Sequence, residues 1–224
     1  MHNPFVPFRL LPILVVALSL GSAGSAFAGN EALPDELLSA AKTLSAHETV
    51  KASFEQTKTS VLFVEDMVRT GTLEMRRSDS RLLWTYNDGP AFLMAGGRFY
   101  PAGKTAEEVG KEGAAGFAMP GAGDMTGVLQ AVFTLAPDAL AAHFSVVVSG
   151  PGTFELTPTD VAAKGMFSKV LLTVGGSPLA VRRTLMHEPT GDVTSIVFSE
   201  VSVGGELAKQ RFLTPSERSA AGTQ

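Results

Sequence analysis

Residues 71–86 read Gly-Thr-Leu-Glu-Met-Arg-Arg-Ser-Asp-Ser-Arg-Leu-Leu-Trp-Thr-Tyr, a pattern that predicts two β-strands joined by a short polar turn. Side chains alternate between the two faces of a strand. One face of the first strand is apolar and ends in a cation: Leu73, Met75 and Arg77. The opposite face is polar, and we expect it to be solvated: Thr72, Glu74 and Arg76. The second strand adds a face of large side chains, including the only tryptophan of the chain: Leu82, Trp84 and Tyr86.

Arg77, at the end of an apolar row, has two interpretations. A guanidinium beside an apolar interior is costly unless an acceptor or an anion pairs with it. Arg77 could lie at the strand end and extend its charged head into water. Alternatively, it could hold a mobile element or a ligand head group over an apolar cavity. The residues alone leave both interpretations open.

Residues 1–28 have the organisation of a secretory signal peptide. Arg9 precedes an apolar run over residues 10–20, which is short for a membrane span, and Ala26-Phe27-Ala28 matches an A-x-A cleavage site. We therefore expect export, with a mature protein that begins at Gly29. The sequence has no cysteine, so we expect a soluble periplasmic protein without a lipid anchor, a disulfide or a thiolate metal site.

The composition indicates a single acidic domain over residues 29–224. The chain has 224 residues and a net charge of −4, and because residues 1–28 contain one arginine and no acidic residue, the remainder carries −5. A domain of this size buries roughly two-thirds of the surface that its unfolded chain exposes. Proteins that bind nucleic acid usually present a basic face, so the charge argues against a nucleic-acid partner.

The first hundred residues predict one helix followed by an antiparallel meander. Residues 34–46 have apolar side chains at helical spacing after a proline and two acids, which suit a first helical turn. From Val50 the alternation has the period of a strand, and the apolar run 61–64 leads towards the next one. Turn signals at 87–90 and 96–97 predict a further hairpin around them.

The middle of the chain has a different pattern. Residues 104–126 are rich in glycine and alanine and lack a strand period, which indicates a long, mobile surface loop. An apolar stripe then predicts a short amphipathic helix: Met125, Val128, Leu129, Val132 and Phe133. Residues 137–143 predict another helical turn or two. A flexible loop that leads into an amphipathic helix is typical of a lid, but a helix that plugs a sheet has the same pattern.

The last third of the chain returns to strand patterns separated by turn signals. The predicted strands cover residues 145–148, 153–157, 169–174, 179–185, 193–203 and 210–213. Over the whole chain they number about eleven. Their spacing is typical of an all-β barrel or sandwich.

The polar residues form no recognised catalytic or metal-binding pattern. The segment ending in Gly103-Lys104-Thr105 resembles a phosphate loop, but five residues separate Gly97 from Gly103 where that motif has four. His47, His143 and His187 lack metal-ligand spacing, and no G-x-S-x-G elbow occurs. We therefore expect no metal, no cofactor and no enzymatic activity.

A series of different short motifs occurs along residues 29–224. They comprise Phe54 and Gln56; Gly71, Leu73, Arg77, Leu82 and Trp84; Leu93, Gly97, Tyr100 and Pro101; Phe154, Leu156 and Pro158; and Gly191, Asp192, Thr194, Ile196, Phe198, Val201, Phe212 and Pro215. In their order and spacing they resemble the periplasmic outer-membrane lipoprotein carriers, the LolA-like family. The sequence departs from the family pattern after Arg77, where Ser78 and Asp79 replace the usual proline.

The resemblance implies a fold that is mainly β with a few helices: an incomplete antiparallel barrel of about eleven strands, closed by a helical lid. It also implies an apolar cavity that takes acyl chains, and an arginine, matched here by Arg77, that tethers the closed lid. On this basis we assign the cavity to Phe54, Leu73, Met75, Trp84, Met94, Ile196 and Phe198. The lid is assigned to the amphipathic helix defined above.

We therefore expect a periplasmic carrier that binds the acyl chains of lipoproteins or lipids and moves them towards the outer membrane. Its expected partners are those acyl chains, an inner-membrane transporter and an outer-membrane acceptor, and we expect a monomer. Two other classes stay open. One is a binding-only envelope sensor or secretion-system accessory that contacts a protein through the same barrel. The other is a lipid-acting enzyme, which would need convergent polar groups in the cavity.

Overall fold

The computed structural model describes residues 33–62, 64–117 and 125–222, so the predicted signal peptide lies outside the described residues. The strands of the described residues are β1 (Thr49–Thr59), β2 (Met67–Arg76), β3 (Arg81–Tyr86), β4 (Ala91–Ala95), β5 (Arg98–Pro101), β6 (Phe144–Gly150), β7 (Thr153–Pro158), β8 (Lys169–Gly175), β9 (Ala180–His187) and β10 (Val193–Val203). The helices are α1 (Asp35–Ser45), α2 (Ala106–Ala115), α3 (Met125–Thr134), α4 (Pro137–His143), α5 (Val161–Met166) and α6 (Pro215–Gly222).

All ten strands belong to one antiparallel sheet, in the order β5-β4-β3-β2-β1-β10-β9-β8-β7-β6. The first and last strands of the chain pair at its centre, and β5 and β6 form its two edges. Because β5 and β6 do not pair with each other, the described sheet is an open barrel, which confirms the prediction of an incomplete antiparallel barrel. The described residues contain ten strands rather than about eleven.

One face of the sheet carries the main hydrophobic core, beneath α1 and α3. Leu37 and Leu44 of α1 are buried there, and Val128 and Val132 of α3 are fully buried. The ring of Phe133 lies 5.5 Å from that of Trp84, measured between centroids. The apolar stripe therefore forms a helix, as predicted, and its apolar side faces the sheet. We call this side of the sheet the inner face.

The segment after β10 does not add a strand to the sheet. The prediction of a strand over residues 210–213 is wrong, because Lys209–Phe212 form a short 3₁₀ helix that leads into α6. Phe212 is completely buried on the outer face, where it packs with Leu83, Leu93 and Ala95. One buried aromatic residue anchors this segment, and so short a pattern does not distinguish a strand from a turn.

Glu74, on the polar outer face of β2, is buried rather than solvated, which corrects the expectation from alternation. Glu74 is 1% exposed. Its Oε1 accepts a hydrogen bond from Nη1 of Arg211 at 2.7 Å and lies 3.6 Å from Nζ of Lys51. Arg76 pairs with Asp79, and its guanidinium lies 5.4 Å from the ring centroid of Phe212. The C-terminal segment covers this face, and a strand pattern carries no information about such a distant cover.

The prediction of a loop over residues 104–126 is wrong for its first half, which contains α2. This helix begins with a capping box: the N–H of Glu108 donates to Oγ1 of Thr105 at 3.4 Å, and Oε2 of Glu108 accepts from the N–H of Thr105 at 2.7 Å. The N–H of Ala106 donates to Oγ of Ser219 at 2.9 Å, which ties α2 to α6. Residues 118–124 lie outside the described residues.

Among the helices that the structure describes, none combines the length and the apolar character that crossing a membrane requires.

Candidate functional site: an apolar cavity under α3

An apolar cavity of about 330 Å³ lies between α3 and the inner face of the sheet. Its lining comes from six strands, from α3 and from Phe117, the second residue after α2: Gln56, Trp84, Tyr86, Phe92, Met94, Phe99, Phe117, Leu129, Phe133, Met186, Thr194 and Ile196. This volume falls at the lower end of the range of about 300–1,000 Å³ for small-molecule sites, and such sites are mostly apolar. The cavity can therefore hold an apolar group of modest size.

An aromatic cluster forms the wall of this cavity at β1, β2 and β3. The ring centroids of Phe54 and Trp84 are 4.3 Å apart, and those of Phe54 and Tyr86 are 5.6 Å apart. Gly71 of β2 makes this approach possible, because a Cβ there would lie 2.6 Å from the ring of Phe54 and 2.1 Å from the carbonyl oxygen of Thr85. The glycine in the quoted stretch thus allows the aromatic wall to form.

The polar groups of the cavity lining are few and uncharged. The hydroxyl of Tyr86 donates to Oε1 of Gln56 at 2.8 Å. Burial raises the pKa of Tyr86, so this hydroxyl keeps its proton at neutral pH. Thr194 adds one more hydroxyl. Neutral hydrogen-bonding groups beside an apolar surface suit a mainly apolar ligand that carries an uncharged polar group.

The cavity is close to the end of the sheet where the loop between β1 and β2 projects. Val61, Leu62, Val64, Met67 and Val68 are exposed there, and Leu62 is 83% exposed. We call these five residues the apolar tip. Oδ1 of Asp192 holds the base of the loop, because it accepts from Oγ of Ser60 and from the N–H of Val61, both at 3.0 Å. Thr194, two residues further along the chain, lines the cavity.

The apolar run over residues 61–64 predicted only an approach to the next strand, and the apolar tip was not predicted. Consecutive apolar residues followed by two acids were the available signal. A run of this kind is equally typical of a buried strand, so only the tertiary position shows that it is exposed.

The predicted cavity residues fall into four places. Trp84, Met94 and Ile196 line the 330 Å³ cavity. Leu73 and Phe198 line a smaller one of about 30 Å³, with Phe133 between the two. The ring of Phe54 packs against that of Trp84, and Met75 borders the separate pocket beside Arg77. All seven share the inner face, and their role in binding stays a prediction.

The predicted lid residues are likewise divided. Leu129 and Phe133 line the cavity, while Val128 and Val132 lie in the core. Met125 begins α3, and its side chain lies outside what the structure describes.

Arg77 lies immediately after β2, at the end of the sheet opposite the apolar tip. Its backbone N–H donates to the carbonyl of Glu48 at 2.9 Å, and its carbonyl accepts from the N–H of Ser80 at 3.1 Å. Its side chain borders a pocket of about 310 Å³ together with residues of α3, α4 and the turn between them. No described residue accepts a hydrogen bond from its buried Nη1. The predicted hydrogen bonds from Arg77 to the lid are therefore not among its described contacts, and the latch stays a prediction.

Burial lowers the pKa of Arg77, and Glu48 offsets part of this effect. The guanidinium keeps its charge at neutral pH, since an arginine titrates far above that range. The sequence correctly indicated a cation beside an apolar interior. It did not indicate that this cation has its own pocket.

Comparison with known proteins reveals similarity in structure only. No family model and no curated protein sequence matches the chain. Among solved structures, it is similar to the LolA superfamily protein NE2245 from Nitrosomonas europaea, with 12% identity, coverage of 80% of this chain and 96% of that chain, and a TM-score of 0.41. It is also similar to lipoprotein LppX from Mycobacterium tuberculosis, with 10% identity, coverage of 77% and 96%, and a TM-score of 0.38.

A third similar structure is a chain of the Pseudomonas aeruginosa MucA/MucB complex, with 15% identity and a TM-score of 0.45. The match covers 80% of this chain and 59% of that chain, so the similarity extends over little more than half of the MucA/MucB chain. These similarities concern the fold, and they assign no ligand to the cavity.

Proposed function

We propose that this chain is an exported carrier that binds the acyl chains of lipoproteins or lipids in the cavity under α3. The observation that carries the proposal is the cavity itself, which combines a volume of about 330 Å³ with an almost wholly apolar lining. Each CH₂ group that leaves water stabilises binding by about 0.8 kcal/mol. A chain segment of several carbons is then held reversibly, as a carrier requires.

Movement of α3 is the proposed means of admitting a longer chain. Phe133 borders both the 330 Å³ cavity and the 30 Å³ cavity beside Leu73 and Phe198, so its ring separates the two. An outward shift of α3 would withdraw Phe133 and Leu129 and join these spaces. In this role α3 acts as the lid and Arg77 as the residue that favours its closed position.

The apolar tip supports a role in release at a membrane or an acceptor. Exposed aliphatic side chains at a loop are costly in water, and contiguous exposed apolar surface marks sites that contact a protein or a membrane. The tip is joined to the cavity lining through Asp192 and Thr194. Cargo leaving the cavity would then pass beside a surface that already contacts the destination.

The proposed location and partners follow from the predicted signal peptide. Export through residues 1–28 would place the carrier in the periplasm, where an inner-membrane transporter loads it and an outer-membrane acceptor receives its cargo. The neutral polar groups Gln56, Tyr86 and Thr194 suit binding rather than catalysis, so we propose no enzymatic activity.

Trp84 provides a direct test, because it is the only tryptophan and lines the cavity. Titration of the mature protein with a long-chain fatty acid is expected to change the intensity or wavelength of its fluorescence and to displace an apolar reporter dye. Native mass spectrometry of protein purified from its own periplasm is expected to show a bound lipid or lipoprotein. The absence of both a fluorescence response and dye displacement would exclude a carrier and favour a binding-only sensor that contacts a protein.

A further inference from the structure

The pocket beside Arg77 has the composition of an anion-binding site. It lies between the β2–β3 turn on one side and the end of α3 and the start of α4 on the other. We propose that this pocket binds an oxyanion, a phosphate or a carboxylate group, with the guanidinium of Arg77 as its principal donor. Binding of the oxyanion does not depend on the proposed carrier function.

Most of the charged groups around the pocket already have partners. Arg76 pairs with Asp79. Arg81 donates to both carboxylate oxygens of Glu217, at 2.6 and 2.7 Å. The ring of His143 is hydrogen-bonded to the carboxylate of Asp160, which is the N-cap residue of α5. Two of the three arginines that border the pocket, and the ring of His143, thus already contact a carboxylate.

Arg77 is the exception within the part of the chain that the structure describes. No carboxylate lies within 4.0 Å of its guanidinium nitrogens, and the Oε1 of the exposed Glu48 accepts instead from the N–H of Ser78 at 3.2 Å. The Nη1 atoms of Arg76 and Arg77 are both buried without an acceptor among the described residues. Buried donors of this kind are costly, and an oxyanion supplies several acceptors to a guanidinium fork at once.

The opposite wall leaves room for such a group. Ala131, Ala136 and Ala139 line it with methyl groups, and Thr134 adds a hydroxyl that accepts from the N–H of Ala136 at 3.3 Å. The volume of about 310 Å³ is ample for a phosphate with several waters. Space of this kind opposite an unpaired guanidinium is what an oxyanion site requires.

The pocket and the apolar cavity are neighbours beneath the same helix. Leu82 of the pocket pairs across β3 and β4 with Met94 of the cavity, and α3 contributes Ala131 to the first space and Phe133 to the second. An amphipathic lipid could therefore place an anionic head group at Arg77 and its chain along α3. This last step rests on the proposed carrier function.

The test compares a head group, a chain and their combination on the mature protein. Inorganic phosphate, 1-dodecanol and dodecyl phosphate are titrated separately by isothermal calorimetry, each below its aggregation concentration. The informative quantity is the ratio of the affinities for dodecyl phosphate and dodecanol. Any effect of Arg77 on the lid alters both affinities alike and cancels in this ratio.

Arg77→Gln is expected to lower the ratio about tenfold or more, and to weaken phosphate binding by a similar factor, because one or more charge-assisted hydrogen bonds are lost. Arg183→Gln is the matched control, at an exposed position of β9 that lines neither the pocket nor the apolar cavity. It is expected to change neither the affinity ratio nor phosphate binding. Ala139→Glu is a second variant that places a carboxylate in the pocket. It is expected to abolish phosphate binding and to raise the melting temperature.

The outcomes separate the two proposals. Phosphate binding without dodecanol binding would leave the anion site standing and overturn the carrier. A ratio near one in the wild-type protein, together with no phosphate binding, would overturn the anion site and leave the carrier standing. If phosphate binds as tightly as dodecyl phosphate while dodecanol also binds, the site takes a free anion rather than a lipid head group. An unchanged ratio in both Arg77→Gln and Ala139→Glu would exclude Arg77 as the donor.

Discussion

The two faces of the β2–β3 hairpin have different surroundings, although their side chains alternate along the same two strands. The inner face presents Leu73, Met75 and Trp84 to cavities that the protein does not fill. On the outer face, Glu74 is ion-paired and buried beneath the C-terminal segment, whose Phe212 is completely enclosed. On the outer face, the buried ion pair and Phe212 hold the C-terminal segment against the hairpin. The apolar cavity on the inner face is where we propose that a ligand binds.

The largest expected effect is the loss of stability in Phe212→Ala. Removing a fully buried phenylalanine is expected to lower the free energy of unfolding by about 3–5 kcal/mol, because it leaves a cavity among Leu83, Leu93 and Ala95. Denaturant unfolding followed by circular dichroism measures the change. Because the outer face does not contact the apolar cavity, the surviving folded fraction is expected to bind dodecanol as the wild type does.

Phe133→Ala is the matched substitution on the inner face. Phe133 already borders two cavities, so its removal is expected to cost no more than the low end of that range, about 3 kcal/mol, and to change ligand affinity markedly. Equal losses of stability together with equal effects on binding would contradict the division between the two faces.

A smaller effect is expected at the adjacent arginines of the turn. If Arg77 favours the closed lid, Arg77→Leu is expected to destabilise the closed state relative to the open one. Because lid closure competes with cargo, the variant is expected to hold an acyl chain more tightly and to release it more slowly. Transfer of a fluorescent fatty acid to acceptor vesicles measures the rate.

Arg76→Leu is the control on the outer face. It removes the contacts with Asp79 and Phe212 and is expected to lower the melting temperature without changing the rate of transfer. Identical behaviour of the two variants in the transfer experiment would mean that Arg77 is not a latch.

Another prediction concerns the acid sensitivity of the contact between Arg81 and Glu217 on the outer face. The hydrogen bonds from Arg81 lower the pKa of Glu217 from its ordinary value of 4.5 to about 2. A lowered pKa stabilises the fold above the unfolded value and loses that contribution as the pH falls towards about 2. The side chain of Glu217 is 42% exposed, so screening by solvent limits the contribution to about 1 kcal/mol.

Glu217→Gln tests this pair. At pH 6 the variant is expected to be less stable than the wild type by about 1 kcal/mol, and the difference is expected to shrink as the pH falls through the range between 4.5 and 2. Thermal unfolding at several pH values measures it. A difference that stays constant down to pH 2 would show that ionisation of Glu217 does not hold the C-terminal segment.

The smallest effect on stability is expected at the apolar tip. Leu62→Asp replaces an exposed side chain and is expected to change the free energy of unfolding by no more than about 0.5 kcal/mol. It is nevertheless expected to slow the transfer of an acyl chain to vesicles, because a carboxylate resists contact with the apolar interior of a membrane. Val161→Asp, at an exposed position on α5, is the matched control. Equal transfer rates in the two variants would remove the tip from the release step.

Periodicity predicted the elements whose own residues carry the signal. The alternation at residues 71–77 identified β2, and the stripe from Val128 to Phe133 identified α3 with its apolar side towards the sheet. Where the conformational preferences of the residues are weak, the sequence pattern did not predict the secondary structure. The glycines and alanines of α2 concealed a capping box at Thr105, and a single Phe212 was not enough to show that its segment folds back as a 3₁₀ helix.

The sequence by itself determined the class of fold, the inward direction of Leu73 and Met75, and the presence of a cation at the end of that row. These properties depend on local spacing, which the backbone geometry of strands and helices converts directly into faces. Only the tertiary structure decided that Glu74 is buried, that Leu62 is exposed, and that Arg77 faces a pocket of its own. The burial of Glu74 and the pocket of Arg77 depend on partners more than 50 residues away in the chain, and the free energy of such a contact leaves no periodic signal in either segment.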